Sequence, residues 1–357
     1  MADLISFDDA IEHSRKFKKR HLLLGNGFSI ACRPKIFTYG SLFEQADFSK
    51  VPEIPKVFEA LNTTDFEQVI KALEDASKTL PVYDASFSAV ATKMGEDAER
   101  LKDLLISTVG NNHPNIPNEI DDAQFWGCRQ FLAHFLGPDN ANGKVYSLNY
   151  DLLLYWALMH EDDPDGAAID LETNDGFGRD EDTEPEYVNW MGESGAHGQR
   201  VHYLHGALHL FDAGAELKKY TWINTGVPLL DQARDAMSAD MFPLFVAEGQ
   251  SSQKLSKIKH SAYLHHSYKS FSEQMRQKGD ALFIYGHSLA PNDEHILKKI
   301  GRGKIGQVYI GLYGDPESDN NKRIVAAAEH MIAQRHERFP MNVAYFDAAS
   351  AKVWERK

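Results

Sequence analysis

Six apolar runs, most of them short and ending in Gly, Asn, Asp or Ser, constrain this chain more than any other feature. They are "RHLLLGNGFS" at 20–29, "KVYSLNYDLLLYW" at 144–156, "RVHYLHGALHLF" at 200–211, "DALFIYGHSLAPND" at 280–293, "GQVYIGLYGD" at 306–315 and "MNVAYFDA" at 341–348. Runs rich in Val, Ile, Leu and Tyr mark strands buried in a parallel sheet, with polar loops at their carboxyl ends. Helical patterns follow several of them. The clearest is "DNNKRIVAAAEHMIAQRHERF" at 319–339, apolar on one face with Lys and Arg late. Strands alternating with helices predict an α/β chain with a Rossmann-like, doubly wound parallel sheet.

The rhythm breaks over 45–138, where "DFEQVIKALEDASKTL" and two similar stretches read as amphipathic helices. The expected organisation is a sheet domain built from 1–44 and 139–357, with an all-helical insertion at 45–138. Irregular insertions are expected near 160–199 and 212–275. The net charge of −14 is concentrated, since 13 acidic residues and one Arg fall within 161–193. Such a stretch reads as a solvated excursion, with "NDGF" at 174–177 the part that would fold over a ligand. An acidic chain without a basic face argues against nucleic acid as the main partner. No apolar run nears the ~18 residues of a membrane span. The N-terminal residues carry no apolar signal core, so a cytoplasmic location is expected. Cys32 and Cys128 form no CxxC pair, which argues against a zinc ribbon or a disulfide framework.

Chemistry concentrates at four of the strand ends. Gly25 and Gly27, with Ser29 beside them, suit a strand-to-helix turn that approaches a phosphate, or one that only packs tightly. Asn149 and Asp151 end the second run, where open α/β sheets bind ligands; Asp151 is equally suited to start the helix that follows. His205 precedes Gly206 at the third, the position of a general base, while His202 and His209 read as packing or surface residues. The three alternating histidines have no carboxylate or Cys beside them at ligand spacing, so no metal is expected. Gly286 and Ser288 form a fourth polar turn, with Asp293 placed to cap the next helix.

In this order the four motifs resemble those of the sirtuin (SIR2) superfamily. They read Gly25-Asn26-Gly27-Phe28-Ser29, Ser147-Leu148-Asn149-Tyr150-Asp151, His205-Gly206 and Gly286-His287-Ser288. More closely, "LLLGNGFS", "NYDLLLYW", "DGF", "YLHGALHLF" and "FVAEGQSSQKL" look like the bacterial SIR2-like proteins of the DUF4917 group. The resemblance implies catalytic roles for Asn149 and His205. It implies NAD⁺ contacts from Gly25, Asn26, Gly27, Phe28, Ser29, Ser147, Asp151, Gly286, His287 and Ser288. The four-cysteine zinc module of deacetylating sirtuins has no counterpart here, nor does the Asp-Phe-Arg that follows their first loop. SIR2-like proteins without that module are typically NAD⁺ glycohydrolases of bacterial antiphage defence. The implied activity is therefore cleavage of NAD⁺ to nicotinamide and ADP-ribose without a metal, as an abortive-infection effector. The implied control is a homo-oligomer or a separate protein partner that senses infection. The alternatives are an NAD⁺ or ADP-ribose sensor without turnover, and a deacylase or ADP-ribosyltransferase.

Overall fold

The computed structural model describes residues 4–138, 143–160, 168–179, 187–192, 198–212, 217–220, 227–238 and 241–355. The runs that lack hydrophobic alternation form strands buried on both faces. Every residue of Arg20–Leu24 (β2), Val145–Ser147 (β3), Val201–Tyr203 (β6), Ala281–Tyr285 (β9) and Gln307–Leu312 (β10) is buried. With Leu4–Ile5 (β1) and Asn342–Asp347 (β11) they make a seven-stranded sheet in the order β1-β11-β10-β9-β2-β3-β6. All its pairings are parallel. The expected α/β class with a parallel sheet is observed.

From β2 the chain moves outward through β3 to β6. It then returns to the other flank of β2 for β9, β10 and β11. The strand order therefore reverses between β2 and β9, the place where open α/β sheets form a crevice. Register puts the four motifs level. Leu24 pairs with Ser147 and with Tyr285, and Ser147 pairs with Tyr203. The residues that follow, starting at Gly25, Leu148, Leu204 and Gly286, therefore leave the sheet side by side at its carboxyl edge.

A second, antiparallel sheet consists of Phe177–Gly178 (β4), Tyr187–Trp190 (β5), Leu217–Tyr220 (β8) and Leu210–Asp212 (β7), in that order. No such sheet is expected from the sequence, because its strands are only two to four residues long and β7 continues the apolar run that begins with β6. "NDGF" belongs here: Lys219 Nζ donates to Asp175 Oδ2 at 2.5 Å and lies 5.0 Å from the Phe177 ring. Residues 161–167, 180–186 and 193 of the acidic segment lie outside the described residues.

The 45–138 stretch is helical, as its periodicity predicts, with Phe66–Tyr83, Ser88–Asn112 and Asp122–Leu136 its longest helices. The last of these packs on the sheet: Phe131 lies 5.4 Å from Tyr285 and Phe135 lies 5.3 Å from Phe283, centroid to centroid. A single apolar core runs from the sheet into the helical segment through Phe58, Phe66 and Ile70. Asp65 caps the first helix by accepting from the N–H groups of Glu67 and Gln68, which sets Glu67 in its opening turn.

The "GNG" turn comes close to the β9 loop. A Cβ on Gly27 would lie 2.5 Å from Gly286 Cα, and Gly286 has φ +69°, where a side chain would lie 2.6 Å from Phe28 N. Both glycines are needed for backbone to meet backbone. Gly286→Ala is expected to lower stability by about 2 kcal/mol or more, from overpacking and the left-handed φ together. Urea unfolding monitored by circular dichroism measures it, and a change under ~0.5 kcal/mol would show that the loop simply moves aside.

Candidate functional site

The first half of the site is the β2–β3 edge. Gly25 N–H donates to Tyr285 O at 3.0 Å, and Gly27 N–H to Gly286 O at 2.8 Å. Phe28 N–H and Ser29 N–H donate to Gly25 O and Asn26 O within the turn, and Asn26 Nδ2 donates to Phe37 O at 2.9 Å. These donors are spent inside the protein. Asn149 Nδ2 donates to Gly25 O and to Ser29 Oγ, both at 3.1 Å, and its N–H donates to Ser147 Oγ. Ser29 Oγ in turn donates to Asp151 Oδ2 at 2.5 Å, and Asp151 Oδ1 accepts from Leu153 N–H. Asp151 therefore anchors the turn and accepts from the first residue of the following helix, Leu153–Met159, whose N-cap position is held by Leu152 and not by Asp151. Burial pushes its carboxyl above the usual range, against the Ser29 hydroxyl. Asn149 is 8 % exposed.

The second half lies at the ends of β6 and β9. Antiparallel pairing fixes His205: Val246 N–H donates to His205 O, Ala207 N–H to Leu244 O, and Gly206 bridges Phe245. Gly206 has φ +81°, and a Cβ there would collide with Leu244 O. This segment and its neighbours leave His205 only 2 % exposed. Its Nε2 lies 3.2 Å from His295 Nε2 and 3.9 Å from Asp293 Oδ1. His287 Nδ1 accepts from Leu289 N–H, so its Nε2 carries the proton donated to Asp293 Oδ2 at 3.0 Å. Leu289 sits at φ +53°, a left-handed backbone that a leucine adopts at a cost of about 1 kcal/mol. Ser288 is exposed on the same loop.

Asp293 is not a side-chain cap. It occupies the N-cap position of Glu294–Gly301 without a capping bond, and its Oδ1 accepts from Lys254 Nζ at 2.9 Å instead. Lys254 also donates to Glu67 Oε2 at 2.8 Å, and Asn292 donates to the same oxygen. Tyr150 donates to Val246 O at 2.6 Å and lies 3.3 Å from Glu67 Oε1. Burial alone would raise the Asp293 carboxyl; the Lys254 ammonium overrides it, with the His287 hydrogen bond, and holds it well below the usual range. Burial carries Glu67 the other way, to about 7, despite the same ammonium. Glu67, Lys254 and His295 have no signal in the sequence: each reads as one polar residue of an ordinary helix.

A cavity of about 590 Å³ adjoins this cluster, and Glu67, Lys71, Gln250, Ser251, Asn292 and His295 are among the residues of its wall. That is within the size range of ligand pockets. Asn149, His205 and the Gly25–Ser29 turn do not line it. His295 is the link, since it touches both the cavity and His205. His202 and His209 are packing residues, fully buried and stacked on Tyr146 and Tyr155.

Burial keeps six histidines neutral. His113 and His295 are pushed down to about 4, and His21, His202, His205 and His209 are also lowered. Their unfolded forms bind protons near pH 6.5 and their folded forms do not, so stability falls as pH drops below that value. Each costs about 1.4 kcal/mol per pH unit across its window. Glu67, Asp65 and Asp151, raised above their unfolded values, work in the opposite sense but are three groups against six. Thermal midpoints are therefore expected to fall by more than about 5 °C between pH 7.5 and 5.5. A midpoint that rises on acidification would show that the histidines open readily to solvent.

No curated protein matches the chain. The family model described as "Domain of unknown function (DUF4917)" matches residues 22–354. With nearly the whole chain matched, including all four strand ends of the site, this protein belongs to the DUF4917 family.

Proposed function

We propose that this protein is an NAD⁺ glycohydrolase, cleaving the bond between nicotinamide nitrogen and ribose C1′ to release nicotinamide and ADP-ribose. The observation that carries the reading is the level arrangement of the four motifs: Asn149 and His205 follow adjacent strands, beside the β2–β9 reversal. Nicotinamide leaves as a neutral molecule from a cationic precursor, so no strong acid is needed. Water supplies the oxygen at C1′, and its proton goes to His205, whose imidazole burial keeps neutral in the closed site. Asn149 positions the ribose and the water. The spent N–H groups of the turn leave close approach, rather than donated hydrogen bonds, as its part in holding the diphosphate. Gly286, His287 and Ser288 border the adenosine side. The reaction requires no metal.

The burial of Asn149 and His205 fits a resting form. A chain that hydrolysed NAD⁺ continuously would exhaust its own cell, and a partner protein or self-assembly would open the site in an antiphage role. The same burial favours a second reading, a sensor that holds NAD⁺ or ADP-ribose without turnover. Nicotinamide release by the purified chain, alone and with the products of neighbouring genes, separates the two. Release supports the glycohydrolase. Binding by calorimetry without release under every condition replaces it with the sensor, and neither binding nor release removes both. Light scattering of the active species tests the switch, which an active free monomer would overturn.

A further inference from the structure

We propose that His205, His295 and Asp293 form a binding site for a divalent transition-metal ion of the zinc type. These three offer ligand atoms that all lie within 4.8 Å of one another. The two imidazole Nε2 atoms face each other at 3.2 Å. Two ligands each about 2.0–2.1 Å from a tetrahedral zinc ion stand at nearly that separation. Asp293 Oδ1, 3.9 Å from His205 Nε2 and offering a ligand atom within 4.8 Å of His295, needs to approach by about half an ångström or more to complete the set. Its lone pairs suffice, because Oδ1 serves Lys254 alone and Oδ2 takes the His287 proton.

The surroundings support the histidines as ligands. His295 Nδ1 lies 3.2 Å from Ser251 Oγ, and Ser251 Oγ also accepts from His295 N–H at 2.7 Å. A hydrogen-bonded far nitrogen is what orients a metal-bound imidazole. Charge favours a cation too, since the carboxylates of Glu67 and Asp293 share the single ammonium of Lys254. Two imidazoles and one carboxylate suit Zn²⁺, Co²⁺ or Ni²⁺ and not the oxygen-seeking Ca²⁺ or Mg²⁺. Ser251 and His295 also line the cavity, which offers the ion a route in. The sequence conceals this site, because His205 finds its partners across the fold and not in His202 or His209.

The ion would take the lone pair with which His205 accepts a proton, so zinc would inhibit nicotinamide release. That consequence rests on the glycohydrolase reading, and the binding itself does not. The test is titration of the full chain, stripped with a chelator, with Zn²⁺ against a chromophoric chelator, together with the visible spectrum of its Co²⁺ complex. Expected are one tight equivalent with an intense tetrahedral Co²⁺ spectrum, loss of at least 100-fold in affinity in His295→Ala, and about 10–100-fold in Ser251→Ala. Mg²⁺ is expected not to compete. Circular dichroism confirms that the variants fold, and His295→Gln stands in if His295→Ala does not. Absence of a tight equivalent in the wild-type chain overturns the proposal, as does one that neither Ser251→Ala nor the His295 variant weakens. Zinc binding without any NAD⁺ turnover would leave the site standing and remove only the inhibition.

Discussion

Replacing His205 by Ala is expected to lower nicotinamide release by about 10²–10⁴-fold, the usual share of a positioned general base. The loss should fall on turnover, with NAD⁺ affinity changed only a few-fold, because the proposed role of His205 is to take the proton from water. His205→Asn, which keeps a polar group of similar shape without a usable base, should be nearly as impaired. Asn149→Ala should also be inactive but is harder to interpret. Its amide donates to Gly25 O and Ser29 Oγ, so its removal loosens the turn as well as the ribose contact. His205 makes no hydrogen bond to the turn, since its polar side-chain neighbours among the described residues are His295 and, farther off, Asp293. Rates are compared under whichever condition activates the wild-type chain, with folding checked by thermal melts. Turnover by His205→Ala within threefold of wild type would exclude it as the base and shift attention to Glu67, which burial raises to about 7.

The parallel sheet is legible in the sequence because β2, β3, β6, β9 and β10 are buried on both faces and therefore read as apolar runs. β1 is not, since two residues make no pattern. The small antiparallel sheet is hidden for a related reason. Its strands are two to four residues long, too short for a period of two to be recognised. At the site, legibility follows the strand ends. Gly25, Asn149, His205 and Gly286 are visible because each interrupts an apolar run at its carboxyl end, where ligands gather. Glu67, Lys254 and His295 arrive from helices that the fold swings over that edge. A helix can carry one buried charge without disturbing its polar pattern, so nothing local marks Glu67 or Lys254 as buried. Asp293 shows the complementary difficulty: its N-cap position is legible, yet its carboxylate serves Lys254 and His287.

Lys254→Met is expected to cost about 3–5 kcal/mol, a larger loss of stability than that expected of Gly286→Ala. Lys254 is 1 % exposed, and its ammonium neutralises two carboxylates that no described cation besides it contacts directly, at 2.8 and 2.9 Å. Methionine fills the same volume, so the loss is electrostatic and not a cavity. Its dependence on pH identifies the cause. Glu67 already stands near 7 with the ammonium beside it, and removing that ammonium raises it further. A carboxyl whose folded pKa is raised contributes stability at low pH that is lost as pH rises through the folded value. The variant should therefore lose more stability, relative to wild type, at pH 8 than at pH 6. Adding Glu67→Gln removes one of the two stranded charges and should restore about 1–2 kcal/mol, with a coupling energy well above that of independent sites. Urea unfolding at both pH values measures all four chains. A loss under about 1 kcal/mol, or one equal at the two pH values, would mean that water reaches Glu67 and Asp293 once Lys254 is gone. It would also mean that this cluster is less sealed than its burial implies, and that His205 beside it meets solvent without any partner to open the site.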